Sequence, residues 1–171
     1  MEANKDYKQC ISLRPLTKDD FKIVLNWSKD ESFCSANGWA RNCSPEELYK
    51  WWVNCVNNAS EDYIRIGLEL NEKLIGYADL ACIQDHTAEL GIAIGDSCLW
   101  GKGIGYHSAI SIMEYAIKNL GITTFKAETH EANIRSRRML EKIGFKEISR
   151  IGDEEFIEMN SHLIQYKLII K

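Results

Sequence analysis

The chain has 171 residues, with 25 acidic against 21 basic side chains and a formal net charge of −4. At 45% hydrophobic and 27% charged residues it has the make-up of one soluble globular domain, residues 1–171, large enough to bury a core without disulfide or metal staples. The acidic balance disfavours a nucleic-acid partner, no apolar run reaches the roughly 20 residues of a membrane helix, and the polar start MEANKDYKQC is unlike a signal peptide, so a cytoplasmic location is expected.

Cys10–Leu16 alternates weakly and ends beside Pro15, the pattern of a first strand. Thr17-Lys18-Asp19-Asp20 is a capping-box variant that opens a helix over about 17–29, with Phe21, Val24, Leu25 and Ser28 on one face. Residues 30–43, rich in Cys, Ser, Asn and Gly, read as irregular. Ser44, Pro45 and Glu47 form a full helix start. Leu48, Trp51, Trp52, Cys55 and Val56 then share a face as far as Asn57-Asn58. Three strands follow over Tyr63–Leu70, Lys73–Cys82 and Thr87–Ile94, an antiparallel meander turning at Asn71-Glu72 and at Gln84-Asp85-His86. In the third, Glu89, Gly91, Ala93 and Gly95 lie on one face, and glycines within a strand mark a close approach or a bulge.

A glycine-rich segment, Leu99 to Gly105, runs into a helix whose face is Ala109, Ile112, Met113, Ala116, Ile117 and Leu120, stopped by Gly121. Thr123–Thr129 is a strand, and Asn133 caps a helix that ends at Gly144. Lys146–Ser149, Glu154–Met159 and Leu163–Ile170 are late strands, the last two forming a hairpin. The order β-α-α-βββ-α-β-α-ββ describes an α+β fold, a mixed and mostly antiparallel central sheet flanked by helices.

The six cysteines, at 10, 34, 43, 55, 82 and 98, show no CxxC spacing and no partnering histidine pair, so no metal site and no disulfide framework is expected. The glycine loop is more telling. A loop that opens a helix offers first-turn N–H groups without partners, on the positive end of the helix dipole. Gly101-x-Gly103-x-Gly105 is neither a Walker A loop nor a dinucleotide fingerprint. On its own it fits a plain flexible loop as well as an anion site.

The loop does not stand alone. Trp100-Gly101-Lys102-Gly103-Ile104-Gly105 resembles the Gln/Arg-x-x-Gly-x-Gly/Ala motif of the GNAT superfamily of acetyl-CoA-dependent N-acetyltransferases. Asn133-Ile134-Arg135-Ser136 followed by Glu141-Lys142-Ile143-Gly144-Phe145 resembles its second motif. Leu13-Arg14-Pro15-Leu16 and Trp100–Gly103 are similar to the branch of ribosomal-protein alanine N-acetyltransferases. The resemblance covers almost the whole chain. Two positions depart from the pattern: Trp100 stands for Gln/Arg, and Leu140 stands where many relatives carry a tyrosine acid.

The resemblance implies acetyl transfer from acetyl-CoA, with no metal, to a primary amine. The amine is a protein N-terminal α-amine, or alternatively a polyamine or aminoglycoside. It implies that Lys102, Gly103, Ile104, Gly105 and Tyr106 hold the pyrophosphate, with Asn133 and Ser136 as further contacts, and that a backbone N–H near a bulge at Ile92, Ala93 and Ile94 polarises the thioester. Ser136 would meet the departing thiolate. The base would be Glu89, on the strand leading to the loop, or Glu155, ten residues beyond the Gly-Phe pair. His130 either faces the acceptor or is an ordinary loop residue. Trp27 and Trp39, flanking 30–43, either hold a cation or simply pack. Arg135, Arg137 and Arg138 are a solvated face or assist the phosphates. A homodimer is common in that branch. Two other classes compete: a non-catalytic acyl-CoA-binding module and a phosphate- or nucleotide-binding interaction domain.

Overall fold

The computed structural model describes residues 11–58, 60–157 and 159–171. The elements are β1 (Ile11–Arg14), α1 (Phe21–Trp27), α2 (Glu31–Asn37), α3 (Pro45–Asn57), β2 (Ile64–Leu70), β3 (Lys73–Gln84), β4 (Thr87–Ile94), α4 (Ile104–Leu120), β5 (Thr124–His130), α5 (Ile134–Ile143), β6 (Lys146–Phe156) and β7 (Met159–Ile169). Cys10, placed in the first strand from sequence, lies outside the described residues.

Local chemistry sets the boundaries. The Thr17 N–H donates to the Asp20 carboxylate at 2.8 Å, closing the capping-box variant that leads into α1. At α3 the box is complete: Glu47 N–H donates to Ser44 Oγ, and Ser44 N–H to the Glu47 carboxylate. Asn71-Glu72 and Asp85-His86 turn with positive φ throughout, the form that matches the twist of a two-residue hairpin.

Two expectations need correction. Residues 30–43 are not wholly irregular, because α2 occupies Glu31–Asn37. Asp30 caps it by accepting from the Phe33 N–H, and Gly38 ends it at φ 65°. The three late strands are two: β6 runs unbroken through Gly152, because register shifts between Glu147 and Ser149 and between Ile151 and Glu154 absorb the extra residues.

The sheet order is β1-β2-β3-β4-β5-β7-β6. Every pair is antiparallel except β4 with β5, which are joined through α4 as a parallel pair requires. On one face, Ile104, Ala109, Ile112 and Met113 of α4 pack on Leu80, Leu90 and Phe125. On the other, Trp27, Phe33 and Trp52 cover Leu74, Tyr77 and Ala93. Among the described residues no helix is long and apolar enough to cross a membrane.

One feature of the sheet positions the site. β4 pairs with β5 only from Thr87–Glu89 against Thr124–Lys126. Beyond that the two strands part, β4 continuing to Ile94 and β5 to His130, and a notch opens in the middle of the sheet.

Candidate active site

The loop after β4 turns through two left-handed glycines, Gly101 at φ 75° and Gly103 at φ 82°. Gly103 is the N-cap of α4 and offers no side chain to its first turn. The first helical bond runs from the His107 N–H to the Gly103 carbonyl, which leaves the N–H groups of Ile104, Gly105 and Tyr106 without helical partners. A cavity of 430 Å³ lies against this turn, lined by Gly103, Gly105 and Tyr106 and, across it, by Arg135, Arg138 and Lys142 of α5. These three cations fall at i, i+3 and i+7, one face of a helix. The Arg135 guanidinium lies 4.2 Å from the Trp100 ring centre, and the Lys142 ammonium 4.3 Å from that of Tyr106. The Trp100 indole N–H donates to the Ile94 carbonyl at 2.9 Å, tying the loop to the end of β4. An apolar floor of Ile92, Ile94 and Met139, open N–H groups and three cations suit a phosphorylated carrier with an alkyl arm, which is the chemistry of CoA.

A second cavity, of 360 Å³, fills the notch. Gly91 and Ile92 form one lip, Glu128 and His130 the other, with Ser136 and Glu154 on its walls. It shares Ile92, Asn133, Ser136 and Met139, together with Ala36 and Asn37 of α2, with the first cavity, so the two meet around Ser136. The Gly95 N–H donates to the Ile75 carbonyl at 2.8 Å. Antiparallel alternation then turns the N–H groups of Leu90, Ile92 and Ile94 away from β3 and toward the notch. No bulge lies at Ile92–Ile94. The β3–β4 register is regular there and breaks only between Ala81 and Gln84, so divergence from β5 is what frees these groups.

A family model described as "Acetyltransferase (GNAT) domain" matches residues 11–146. The chain belongs to the GNAT acetyltransferase family. It is 22% identical over 147 residues to the human alpha/beta-tubulin-N-acetyltransferase 9, covering 85% of this chain and 64% of that protein. It spans under two thirds of the length of the first curated relatives it matches. Its fold is that of a ribosomal L7/L12 alpha-N-protein acetyltransferase solved with coenzyme A, with a TM-score of 0.81 at 16% identity over 94% of both chains. The same holds for a Vibrio cholerae spermidine N-acetyltransferase solved with CoA and spermine, with a TM-score of 0.79 at 19% identity over 94% of this chain and 96% of that one.

The residues singled out in the sequence of this GNAT domain divide sharply. Ile92, Ile94, Gly103, Gly105, Tyr106, Asn133 and Ser136 line the two cavities. Ala93 points to the opposite face of the sheet and packs with Trp27 and Tyr77. Ile104 is core, so only its backbone is available. Lys102 is exposed and outside both linings. Glu89 is exposed beside Ala81 and Lys126, below the point where the strands part. Glu155 is exposed and pairs in register with Asn160, while its neighbour Glu154 lines the notch. Leu140 is buried and lines the notch with hydrocarbon. Arg137 diverges from Arg135 and Arg138, donating to the Tyr166 hydroxyl and the Glu131 carbonyl, each at 3.3 Å.

The lining residues of α5 are held by their cap and by β7. Asn133 Oδ1 accepts from the Ser136 N–H at 3.2 Å. The buried Ser161 hydroxyl accepts from the Ala132 N–H at 3.0 Å, and the Glu131 N–H donates to the His162 carbonyl at 2.7 Å. Trp27, Trp39, Trp51 and Trp52 lie outside both cavities. Trp27 is buried against Gly95, and Trp39 stacks edge-on between Phe33 and Trp51. Trp52 is fully buried, its indole N–H bound to the Thr17 carbonyl, while Trp51 is partly open. The cation in this aromatic cluster is the chain's own. Arg65 lies 4.2 Å from the Tyr77 ring centre, with Trp51 and Tyr63 also in range, and binds Asp79 through two hydrogen bonds. Burial disfavours its charge, but the Asp79 carboxylate outweighs burial and holds the guanidinium firmly protonated.

Proposed function

We propose that this chain transfers an acetyl group from acetyl-CoA to a primary amine, by direct attack of the amine in the sheet notch, with a protein N-terminal α-amine as acceptor. The observation that carries the reading is the meeting of two unlike cavities at Ser136. One is cationic with open helix N–H groups; the other is walled by the carboxylates Glu128 and Glu154. A phosphate carrier suits the first and an amine the second.

The N–H groups of Ile104, Gly105 and Tyr106 hold the pyrophosphate, with Arg135, Arg138 and Lys142 supplying charge. The Ile92 or Ile94 N–H stabilises the oxygen of the thioester as it gains charge. The amine nitrogen bonds to the carbonyl carbon, the carbon–sulfur bond breaks, and the Ser136 hydroxyl donates to the departing thiolate. The amine must arrive neutral. We assign its proton to Glu154, an exposed β6 carboxylate on the notch wall; Glu89 and Glu155, equally exposed but outside that lining, would act through water.

The carboxylates also favour a second acceptor class, a polyamine. Turnover of acetyl-CoA with an alanine-started peptide, spermidine and an aminoglycoside separates these readings. The expected result is release of CoA thiol with the peptide as preferred substrate. Tight CoA binding without thiol release for any amine refutes the enzyme and favours a binding module.

A further inference from the structure

The last residue of β5, His130, has no part in the steps above, although it lines the notch with Glu128, Glu154 and Ser136. Its ring lies nearly parallel to that of buried Phe156, with centres 4.8 Å apart and planes at 24°. Stacking fixes the ring by its faces, so only its edge can act. Nδ1 on that edge is buried and has no hydrogen-bond partner among the described residues. A neutral imidazole carries one N–H and one lone pair. A proton on Nδ1 would be sealed away from any acceptor, whereas on Nε2 it can reach solvent or a ligand. The proton therefore belongs on Nε2, which is not among the sealed atoms and belongs to the edge left for the notch.

His130 is then a hydrogen-bond donor standing beside the carboxylates of the notch. Thr124, Lys126, Glu128 and His130 alternate on one face of β5, so the carboxylate and the donor stand two residues apart on the same lip. A carboxylate seeks an ammonium, and an N–H seeks a carbonyl. The α-amine of a peptide presents both, the amine and its first carbonyl a few bonds apart, whereas a polyamine presents only cations.

Building on the acetyl-transfer reading, we propose that His130 is a specificity residue whose Nε2–H binds a backbone carbonyl of the acceptor, selecting a peptide α-amine over amines that lack a carbonyl. The test compares kcat/KM for a short alanine-started peptide and for an alkylamine of similar length without carbonyl groups, in the wild type, His130→Phe and His130→Gln. Phenylalanine keeps an aromatic ring on Phe156 and removes the donor; glutamine restores an N–H at similar reach. His130→Phe should lower kcat/KM for the peptide about tenfold, about 1.4 kcal/mol, mainly through KM. It should leave the alkylamine within about twofold, and His130→Gln should recover part of the peptide preference. An equal loss for both amines, a loss confined to kcat, or no change in discrimination overturns the proposal. Wild-type protein that acetylates neither amine overturns the acetyl-transfer reading itself.

Discussion

Gly91 and Gly95 lie on the same face of the same stretch of chain, and the same substitution should have opposite effects at the two. A Cβ at Gly95 would stand 2.1 Å from the nearest indole carbon of Trp27. Ordinary carbon contacts are about 3.5–4.0 Å, so the indole or the strand must yield by about 1.5 Å. Trp27 cannot yield cheaply: it is 5% exposed and lies against Phe33 and Tyr77. Gly95→Ala therefore belongs at the upper end of the overpacking range, about 3 kcal/mol. For a chain of this size that is a fall in Tm of about 6–12 °C. At Gly91 the nearest atom to an added Cβ is the Asp79 Cβ at 3.5 Å, an ordinary contact. Gly91→Ala should hold Tm or raise it slightly, because alanine stiffens the unfolded chain by about 0.4–1 kcal/mol. The methyl would, however, enter the lip of the notch and raise KM for the amine. Thermal unfolding followed by circular dichroism, with initial rates on the same samples, reads both effects. Tm values for the two variants within about 3 °C of each other would refute the close approach of Trp27 to the β4 backbone.

Further outcomes follow from the same geometry. Arg135→Ala and Arg138→Ala should each weaken CoA binding about fivefold at low salt and less at high salt, while Lys102→Ala and Arg137→Ala leave it unchanged; isothermal titration at two ionic strengths checks this. Asn133→Ala should cost about 1 kcal/mol through loss of the α5 cap. It should also lower kcat, because Ser136 loses its anchor, as unfolding curves and single-turnover rates would register. Burial pushes the Asp20 carboxyl up, but the Arg14 guanidinium and the Thr17 N–H outweigh it and hold it below the usual carboxylate range. That stabilisation is complete above the unfolded value near 3.9 and is lost as pH falls through the lower folded value. Asp20→Asn should therefore lower Tm most at neutral pH, with the gap to wild type closing in acid; a gap that stays constant from pH 7 to about 3 would contradict the assignment.

The fold was legible where chemistry is local. The Ser44–Glu47 box, the two-residue turns and the glycine start of α4 can each be read from a few neighbouring side chains. α2 was not legible, because seven residues with only Phe33 and Cys34 buried give no periodicity to detect. The cationic wall of the cofactor cavity was half legible. Arg135 and Arg138 stand out in sequence, but their separation from Arg137, and their union with Lys142, appear only when α5 is seated against Tyr166. The two carboxylates that line the notch, Glu128 and Glu154, do not stand out in the sequence, where Glu89 and Glu155 are the candidates. Parity along a strand decides which of Glu154 and Glu155 borders the notch, and the two register shifts in β6 reset that parity at points no sequence pattern marks.

The guanidinium of Arg65, set among Tyr63, Tyr77 and Trp51, occupies a cluster of rings that would otherwise be open to a cation. An aromatic box is the usual protein device for gripping a bare or alkylated ammonium, and here the box is filled from within and locked by Asp79. On the acetyl-transfer reading proposed above, this box offers the amine no free π-face, and recognition is left to the carboxylates and backbone donors of the notch. On that reading, bulk and methylation at the acceptor nitrogen gain nothing from the Arg65 box, and reach to a neighbouring hydrogen-bonding group gains most.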